Sequence, residues 1–255
     1  MVCVDVLPTR DASAAAAAAH VAKTVKEVVR DKGGARVIFA TGASQFEFLQ
    51  HLVATAELPW DKVEAFHLDE YVGLPITHGA SFRKYLQERL FSKVSPPFKA
   101  VHLLDPAEIG AYEAALRAGP IDLACIGIGE NGHLAFNDPP CVFDEEKLVK
   151  IVDLPVSCRQ QQVGEGWFAS VDEAPAQAAT LTMPAIMRAE RLSVVCPDER
   201  KADAVLAAIE GPLTAECPAS AMRNHAHCVL WLDAPAASKL ESGKLSKAAL
   251  EVQGA

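Results

Sequence analysis

Polar residues cluster at three points of the sequence, each directly after an apolar segment. The first cluster is TGAS at residues 41–44, where Gly42 permits a tight turn and Ser44 supplies a hydroxyl. Backbone N–H groups in a glycine turn at the start of a helix can bind an anion, so this cluster could hold a phosphate. An ordinary strand-to-helix turn with Ser44 as the cap explains the same residues. The GK[ST] ending of a nucleotide-binding P-loop is absent.

The second cluster, Asp69-Glu70-Tyr71, places two carboxylates at the end of an apolar segment. A carboxylate that faces a partly dry cleft has a raised pKa and can act as a general base near neutral pH. The alternative is a structural role, in which a carboxylate at the strand end caps the next element. The residues alone leave both interpretations open.

The third cluster, residues 127–138, combines a glycine-rich turn with His133 and Asp138. A histidine whose second ring nitrogen is held by a carboxylate is a general acid or base with a fixed tautomer. The segment also matches the G-x-G-x-x-G pattern of dinucleotide-binding proteins, with Asp153 about 20 residues further on. However, the proline pair that follows prevents the long helix which that pattern requires. The cluster therefore favours acid–base chemistry over nucleotide binding.

Two cations, Arg159 and Lys201, could complete an anion site. Arginine binds phosphate through two N–H groups, and lysine supplies a point charge. A metal site is not predicted, because His225 and His227 have no third ligand at a standard spacing. The cysteines lack the histidine and carboxylate or amide support of a catalytic nucleophile.

Alternating elements must position these clusters. Apolar periodicity predicts helices at residues 11–32, 46–52, 81–91, 106–118 and 199–210, and strands at 36–40, 63–68, 101–104, 121–126, 192–196 and 229–232. Strands that alternate with helices form a parallel sheet covered on both faces. We therefore predict an α/β protein with one domain over residues 1–255. It should be a three-layer α/β/α sandwich with a mostly parallel, Rossmann-like sheet and a lid at about residues 141–180.

Composition restricts the partners of this chain. The net charge of −9 argues against nucleic acid and anionic membranes, because both require clustered Lys and Arg. No apolar tract approaches the roughly 20 residues that span a bilayer, and the first residues do not resemble a secretory signal. Seven cysteines without a CxxC pair indicate reduced thiols. We expect a cytoplasmic protein that binds a small molecule, and the sequence leaves a homo-oligomer open.

Four segments together resemble the glucosamine-6-phosphate deaminases, also called glucosamine-6-phosphate isomerases, whose wider superfamily includes the 6-phosphogluconolactonases. The segments are TGAS at residues 41–44, LDEYVGLP at 68–75, GIGENGHLAFNDP at 127–139 and RKADAVLAAIEGP at 200–212. LDEYVGLP and the GHLAFN core are specific to the deaminase branch, whereas TGAS alone is weak. The likeness extends from about residue 36 to residue 233.

The resemblance implies an enzyme without metal or cofactor that converts glucosamine 6-phosphate and water to fructose 6-phosphate and ammonia. In that family the aspartate of DEY moves a proton between C2 and C1, which assigns Asp69 here. The histidine of GHLAFN promotes ring opening, which assigns His133, with Asp138 orienting it and Asn131 in the same catalytic loop. The substrate-binding residues that the resemblance implies are Thr41, Gly42, Ala43, Ser44, Glu70, Gly129, Arg159 and Lys201.

Two catalytic positions depart from the common family pattern. Asp138 stands where the family commonly has Glu, and Asn131 stands where many members have Asp. The shorter Asp138 is expected to lengthen the contact to His133 or to require a backbone shift. Residues 143–147 replace a basic, serine-rich allosteric segment of some hexameric members, so we expect no activation by N-acetylglucosamine 6-phosphate.

The resemblance leaves three alternative functions open. One is a hydrolase of the 6-phosphogluconolactonase type, and another is a sugar-phosphate isomerase that releases no ammonia. The third is a catalytically altered sugar-phosphate-binding protein, which the change to Asp138 favours. The sequence also leaves the choice between gluco and galacto substrates open.

Overall fold

The computed structural model describes residues 2–241, in which helices and strands alternate. The strands are Cys3–Leu7 (β1), Ala35–Phe39 (β2), Val63–His67 (β3), Asp69–Tyr71 (β4), Ala100–His102 (β5), Leu123–Ile126 (β6), Val149–Asp153 (β7), Gln177–Leu181 (β8), Arg191–Val195 (β9) and Cys228–Asp233 (β10). The α-helices are Arg10–Lys32 (α1), Phe46–Ala54 (α2), Phe82–Leu86 (α3), Ile109–Arg117 (α4), Val156–Gly164 (α5), Met183–Met187 (α6) and Ala202–Ile209 (α7). None of these helices combines the length and the apolar content that crossing a membrane requires.

Seven strands form a parallel sheet in the order β1-β10-β9-β6-β2-β3-β5. Side chains alternate between its faces: Val37 and Phe39 pack toward α1 and α2, whereas Ile38 belongs to the core on the opposite face with α4 and α7. Because both faces are covered, the strands are apolar on both sides. The predicted three-layer α/β arrangement with a mostly parallel sheet is confirmed.

The strand order places a crevice at the centre of the sheet. After β2 the chain adds β3 and β5 on one side, whereas β6, β9 and β10 extend the sheet on the other side. The connections that leave β2 and β6 therefore diverge, and neighbouring connections that diverge open a crevice beyond the carboxyl ends of the strands. Two of the predicted polar clusters, residues 41–44 and 127–138, directly follow these two strands.

A second, antiparallel sheet in the order β4-β8-β7 changes the expected lid. β7 and all but the last residue of β8 lie within residues 141–180, and Ala178, Ala179 and Leu181 of β8 are fully buried. The lid predicted at about residues 141–180 is therefore not continuous, because part of the segment forms this sheet. The residues of the segment that line the cleft are Gln161 and Gln162 of α5 and Glu165 directly after it.

Strand β4 is fixed to α3 by the buried carboxylate of Glu70. This carboxylate accepts hydrogen bonds from the Ser81 hydroxyl at 2.8 Å, from the N–H groups of Phe82 and Arg83 at 3.0 and 2.9 Å, and from the Arg83 guanidinium at 3.0 Å. A carboxylate at a helix N-terminus satisfies N–H groups that have no partner within the helix. Ser81 also caps α3 by accepting from the Lys84 N–H, as predicted.

Glu70→Gln should destabilise the fold strongly, because it leaves the buried Arg83 guanidinium and several N–H donors without a full acceptor. Breaking a buried ion pair typically costs about 3–5 kcal/mol. Urea unfolding measures the loss. Glu88→Gln is the matched control, since Glu88 is exposed and pairs only with Lys84 one turn away, and it should change stability by less than about 0.5 kcal/mol. Equal midpoints for both variants would contradict the role of Glu70.

Candidate active site

A cleft of about 590 Å³, counting its solvent-open part, lies beyond the carboxyl ends of the central strands. This volume is within the range of roughly 300–1,000 Å³ for small-molecule sites. The lining residues come from the segments after β2, β3, β6 and β9 and from α5. They are Ala40, Thr41, Gly42, Ala43, Ser44, Gln45, Leu68, Asp69, Phe82, Gly127, Ile128, Gly129, His133, Ala135, Phe136, Gln161, Gln162, Glu165 and Lys201.

The turn at residues 41–44 faces the cleft with its backbone. Gly42 has φ 97°, a left-handed conformation that favours glycine. The carbonyl of Gly42 accepts from the Tyr85 hydroxyl at 2.9 Å, and the carbonyl of Ala43 accepts from the Arg10 guanidinium. The helix α2 that follows has no side-chain cap, so Ser44 is not its cap. The N–H groups of Gln45 and Phe46 donate to the carbonyls of Gly42 and Ala43, which leaves the N–H groups at the start of the turn available to an anion.

Lys201 brings a positive charge to the same cleft from the turn that precedes α7. Its side chain is only 4% exposed, yet no carboxylate of residues 2–241 pairs with its ammonium group. A buried charge without a protein partner is costly unless a ligand of opposite charge approaches it. Lys201 and the turn after β2 thus form an anion site.

Asp69 begins β4 and lies in the cleft with 6% of its surface exposed. Burial, together with a smaller contribution from the neighbouring carboxylate of Glu70, raises the pKa of its carboxyl to about 8. A carboxyl with this pKa exchanges protons near neutral pH, as a general base or acid must.

His133 lies across the same cleft, and its ring is held by an amide rather than directly by a carboxylate. The ring Nδ1 is 2.7 Å from Oδ1 of Asn131 and 3.4 Å from Oδ1 of Asp138. The amide nitrogen of Asn131 donates to Asp138 at 2.8 Å, which completes a His133–Asn131–Asp138 relay. The contact between His133 and Asp138 is long, at 3.4 Å, as expected for the shorter aspartate, and the Asn131 amide bridges the two side chains.

The relay has consequences for protonation. Although burial opposes ionisation, the nearby His133 ring and the hydrogen bond from Asn131 hold the pKa of Asp138 below its usual value. Asp138 is therefore ionised and fixes the Asn131 amide with its oxygen toward His133. That oxygen requires a hydrogen on Nδ1, so Nε2 of a neutral His133 is the proton acceptor.

The loop that carries this relay is pinned to the second sheet. The N–H of Phe136 donates to the Thr180 hydroxyl at 3.1 Å, and the Asn137 amide donates to the carbonyls of Leu134 and Leu181 at 2.9 Å each. Strand β8 therefore fixes the loop from the side opposite the cleft. His133 and Asp69 are positioned by the same small sheet, because Asp69 pairs with Thr180.

Gly129 makes room for the imidazole. A Cβ at this position would lie 2.1–2.3 Å from the ring atoms of His133. The sequence analysis assigned Gly129 to substrate binding. The structure places it in the cleft lining, where its missing side chain lets the His133 ring lie against the backbone.

Two predicted substrate-binding side chains do not line the cleft. Glu70 is turned into the protein and bound to α3, so its assignment to substrate was wrong. Arg159 lies on α5, but its guanidinium donates to the Val171 carbonyl at 3.3 Å. The sequence placed both correctly near the site but could not show the direction of their side chains. Asn131 and Asp138 lie behind His133 rather than in the lining.

The sequence analysis missed the polar residues Gln45, Gln161, Gln162 and Glu165, and the aromatic residues Phe82 and Phe136. Glutamine carries no catalytic motif, and α5 was not predicted. The signal for these residues was a run of three glutamines at residues 160–162. Such a run does not fit the apolar face of a packed helix and indicates a polar surface. Oε1 of Gln45 is buried without a partner in the part of the chain that the structure describes.

Metal chelation is not indicated within residues 2–241, where no three His, Cys, Asp or Glu side chains converge. His225 is bound to the Ala189 carbonyl at 2.8 Å and to the His227 N–H at 3.1 Å. The cleft instead combines an anion site, a carboxyl with a pKa near neutrality and a histidine with a fixed tautomer. This set can anchor a phosphorylated molecule and move protons at carbon and oxygen.

Comparisons with known proteins identify relatives that match most of the chain. Residues 8–231 match the family described as Glucosamine-6-phosphate isomerases/6-phosphogluconolactonase. The glucosamine-6-phosphate deaminase of Streptococcus suis (strain 05ZYH33) is 34% identical over 224 residues, which cover 84% of this chain and 92% of that protein. The corresponding enzyme of Streptococcus equi subsp. zooepidemicus (strain H70) is 33% identical over 216 residues, or 82% and 89% of the two chains.

Solved structures give the same result. A monomeric glucosamine-6-phosphate deaminase superimposes with a TM-score of 0.82 at 28% identity, covering 92% of this chain and 99% of that one. A 6-phosphogluconolactonase from Shewanella baltica OS155 superimposes with a TM-score of 0.73 at 18% identity, covering 91% and 98%. The second likeness shows the shared fold alone.

Gly129→Ala should displace the His133 ring, because the added methyl group would overlap with it. A shift of about 1 Å in a catalytic group can lower the rate about 100-fold. Steady-state kinetics with a sugar phosphate measure kcat/KM. Gly164→Ala on α5 is the control, since nothing lies within 4 Å of its added Cβ. An unimpaired Gly129→Ala protein would contradict this placement of His133.

Asp69→Asn should stabilise the protein in a pH-dependent way. An unfolded aspartate ionises near pH 4, whereas folded Asp69 keeps its proton to about pH 8. Folding therefore takes up a proton between these values, and stability falls as the pH rises. The variant should match the wild type at pH 4 and gain on the order of 2–5 kcal/mol at pH 8.5 in urea unfolding.

Asp138→Asn should have the opposite effect on stability in the same experiment, because the pKa of Asp138 is lower in the folded state than in the unfolded state. At pH values above the unfolded pKa, the ionised Asp138 therefore stabilises the wild type, and the variant should be less stable there. An Asp69→Asn gain that is equal at both pH values would show that ionisation of Asp69 is not its cause.

Proposed function

The chain belongs to the glucosamine-6-phosphate isomerase/6-phosphogluconolactonase family, and we propose that it deaminates glucosamine 6-phosphate to fructose 6-phosphate and ammonia. The family match and the deaminase relatives above 30% identity support this assignment. The observation that carries it is the convergence of Asp69 and His133 in one cleft with the anion site of Lys201 and the turn after β2.

The phosphoryl group would bind at the anion site. N–H groups of Gly42, Ala43 and Ser44 and the hydroxyl of Thr41 surround one side, and the Lys201 ammonium supplies the compensating charge. This anchoring fixes the other end of the sugar against Asp69 and His133, so that proton transfers occur within a bound complex.

His133 would open the sugar ring. Nε2 of the neutral imidazole accepts the proton of the C1 hydroxyl, the bond between C1 and the ring oxygen breaks, and the imidazolium returns this proton to the ring oxygen. The imidazolium that forms is stabilised through Asn131, whose amide links it to the ionised Asp138. The shorter Asp138 therefore keeps its orienting role, which argues against the binding-protein alternative.

Asp69 would then act on the open-chain aldehyde. Its carboxylate removes the proton from C2 while the aldehyde oxygen takes a proton from the substrate's ammonium group, which gives an enolamine. The proton held by Asp69 is then returned to C1, which leaves an iminium group at C2. Water adds to C2 and ammonia leaves, giving the ketone of fructose 6-phosphate. The cationic amine of the substrate favours the ionised form of Asp69, because an opposite charge lowers the pKa of a buried carboxyl.

The related activities are separated by one panel of substrates. Ammonia release from glucosamine 6-phosphate and galactosamine 6-phosphate tests deamination and the stereochemical preference. Conversion of glucose 6-phosphate tests isomerisation alone, and hydrolysis of 6-phosphogluconolactone tests the lactonase alternative. We expect ammonia release to dominate, because no lactonase step requires a base in the position of Asp69.

We further propose that the enzyme acts in the cytoplasm, in agreement with its seven unpaired cysteines. We expect no cofactor for the proposed reaction, because proton transfer and addition of water need only side chains.

Asp69→Asn should abolish ammonia release while leaving sugar-phosphate binding nearly intact, because the anion site is separate from Asp69. Loss of a positioned general base lowers the rate about 10²–10⁴-fold. Coupled ammonia assays measure kcat, and calorimetric titration with fructose 6-phosphate measures binding. The control Asp153→Asn changes an exposed aspartate on β7 and should retain full activity. An active Asp69→Asn enzyme would remove the assignment.

A further inference from the structure

The amide of Gln162 is held in one orientation by a buried tyrosine. The Tyr71 hydroxyl donates to Oε1 of Gln162 at 2.7 Å, and Tyr71 is fully buried. Within residues 2–241 no other acceptor takes the tyrosine hydrogen. Burial raises the pKa of Tyr71 well above its ordinary value, so the hydroxyl stays protonated. Gln162 must therefore turn its oxygen toward Tyr71.

The consequence is a fixed pair of N–H donors on the other side of the amide. Gln162 is only 6% exposed and lines the cleft, whereas Tyr71 does not line it. No acceptor in the described part of the chain takes a hydrogen bond from its Nε2. Because Gln162 lines the open cleft, its amino group is available to donate to water or to a ligand there.

The position of Gln162 indicates which part of a substrate it would meet. The carbonyl of Gln162 accepts from the Trp167 N–H at 3.0 Å, and the Trp167 indole lies 6.1–6.2 Å from the rings of Phe46 and Tyr85 beside the anion turn. The side chain of Gln162 contacts Tyr71 on β4, the strand that also carries Asp69. Gln162 thus shares the cleft with both the anion site and the proposed base, and its contacts lead to the segments that carry each of them.

We propose that Gln162 is a specificity-determining residue that donates a hydrogen bond to the hydroxyl on C3 or C4 of the sugar, with Tyr71 as its positioning residue. This inference rests on the proposed function, which places the phosphoryl group at Lys201 and C2 at Asp69. A hydroxyl oxygen is a suitable acceptor for a neutral amide, and C3 and C4 are the carbons between the two fixed ends. No motif of the sequence marks either role.

The test compares glucosamine 6-phosphate with its 3-deoxy and 4-deoxy analogues in the wild type and in Gln162→Leu. The wild type should lose about 5- to 10-fold in kcat/KM on the analogue that lacks the recognised hydroxyl. Gln162→Leu should lose a similar factor on the parent substrate and show no further loss on that analogue. A Gln162→Leu enzyme that discriminates as strongly as the wild type overturns the proposal.

Further variants separate recognition from folding. Gln162→Glu keeps the acceptor for Tyr71 but removes the donor, so it should fold with an unchanged melting temperature and lose discrimination. Tyr71→Phe frees the Gln162 amide to rotate, so this variant should lose part of the discrimination between the parent substrate and the analogue. Gln160→Glu, an exposed neighbour on α5, should behave as the wild type. Unchanged discrimination in both Gln162→Glu and Tyr71→Phe contradicts the proposal.

Failure of the proposed function would be visible separately. If the wild type releases no ammonia, the deaminase assignment is wrong. Calorimetric binding of the parent and deoxy sugar phosphates to the wild type and Gln162→Leu still tests the donor. Equal affinity of the wild type for all three ligands then overturns the role of Gln162, whereas discrimination that disappears in Gln162→Leu supports it.

Discussion

The divergence of the connections that leave β2 and β6 is the constraint on which the site depends. Parallel strands direct their carboxyl ends to one edge, and only at this position does the strand order open that edge into a crevice. The anion turn enters from β2 and the glycine loop with His133 enters from β6. The segment after β3 adds Asp69 and the turn after β9 adds Lys201, so four separate parts of the chain meet at one cleft.

Two neighbouring carboxylates illustrate how environment assigns roles. Glu70 is surrounded by donors at the start of α3, so its charge is fully compensated and it serves the fold. Asp69 has no such donors and lies at the floor of a cleft, so burial favours its protonated form and raises its pKa to about 8. Two adjacent carboxylates therefore serve as one structural anchor and one acid–base group, because successive residues of a strand point to opposite faces.

Neutral amides carry much of the organisation of this cleft. Asn131 links His133 to Asp138, and Gln162 is oriented by Tyr71. An amide can accept on one side and donate on the other, so it transmits orientation without adding charge. In a cleft that contains Glu165 and Lys201, this neutrality adds no negative charge that would repel an anionic substrate.

The sequence by itself determined the class of fold and, to within two residues, the boundaries of α1 and of the central strands. It also singled out Asp69, His133 and the turn at residues 41–44, which the structure brings into one cleft. These follow from local periodicity and from motifs that occupy short stretches of chain. Tertiary structure alone decided that Glu70 and Arg159 turn away from the cleft, that Asn131 bridges His133 to Asp138, and that glutamines of α5 line the cleft. Their roles depend on which distant donor or acceptor lies within about 3 Å, and that distance is set by how the two sheets pack.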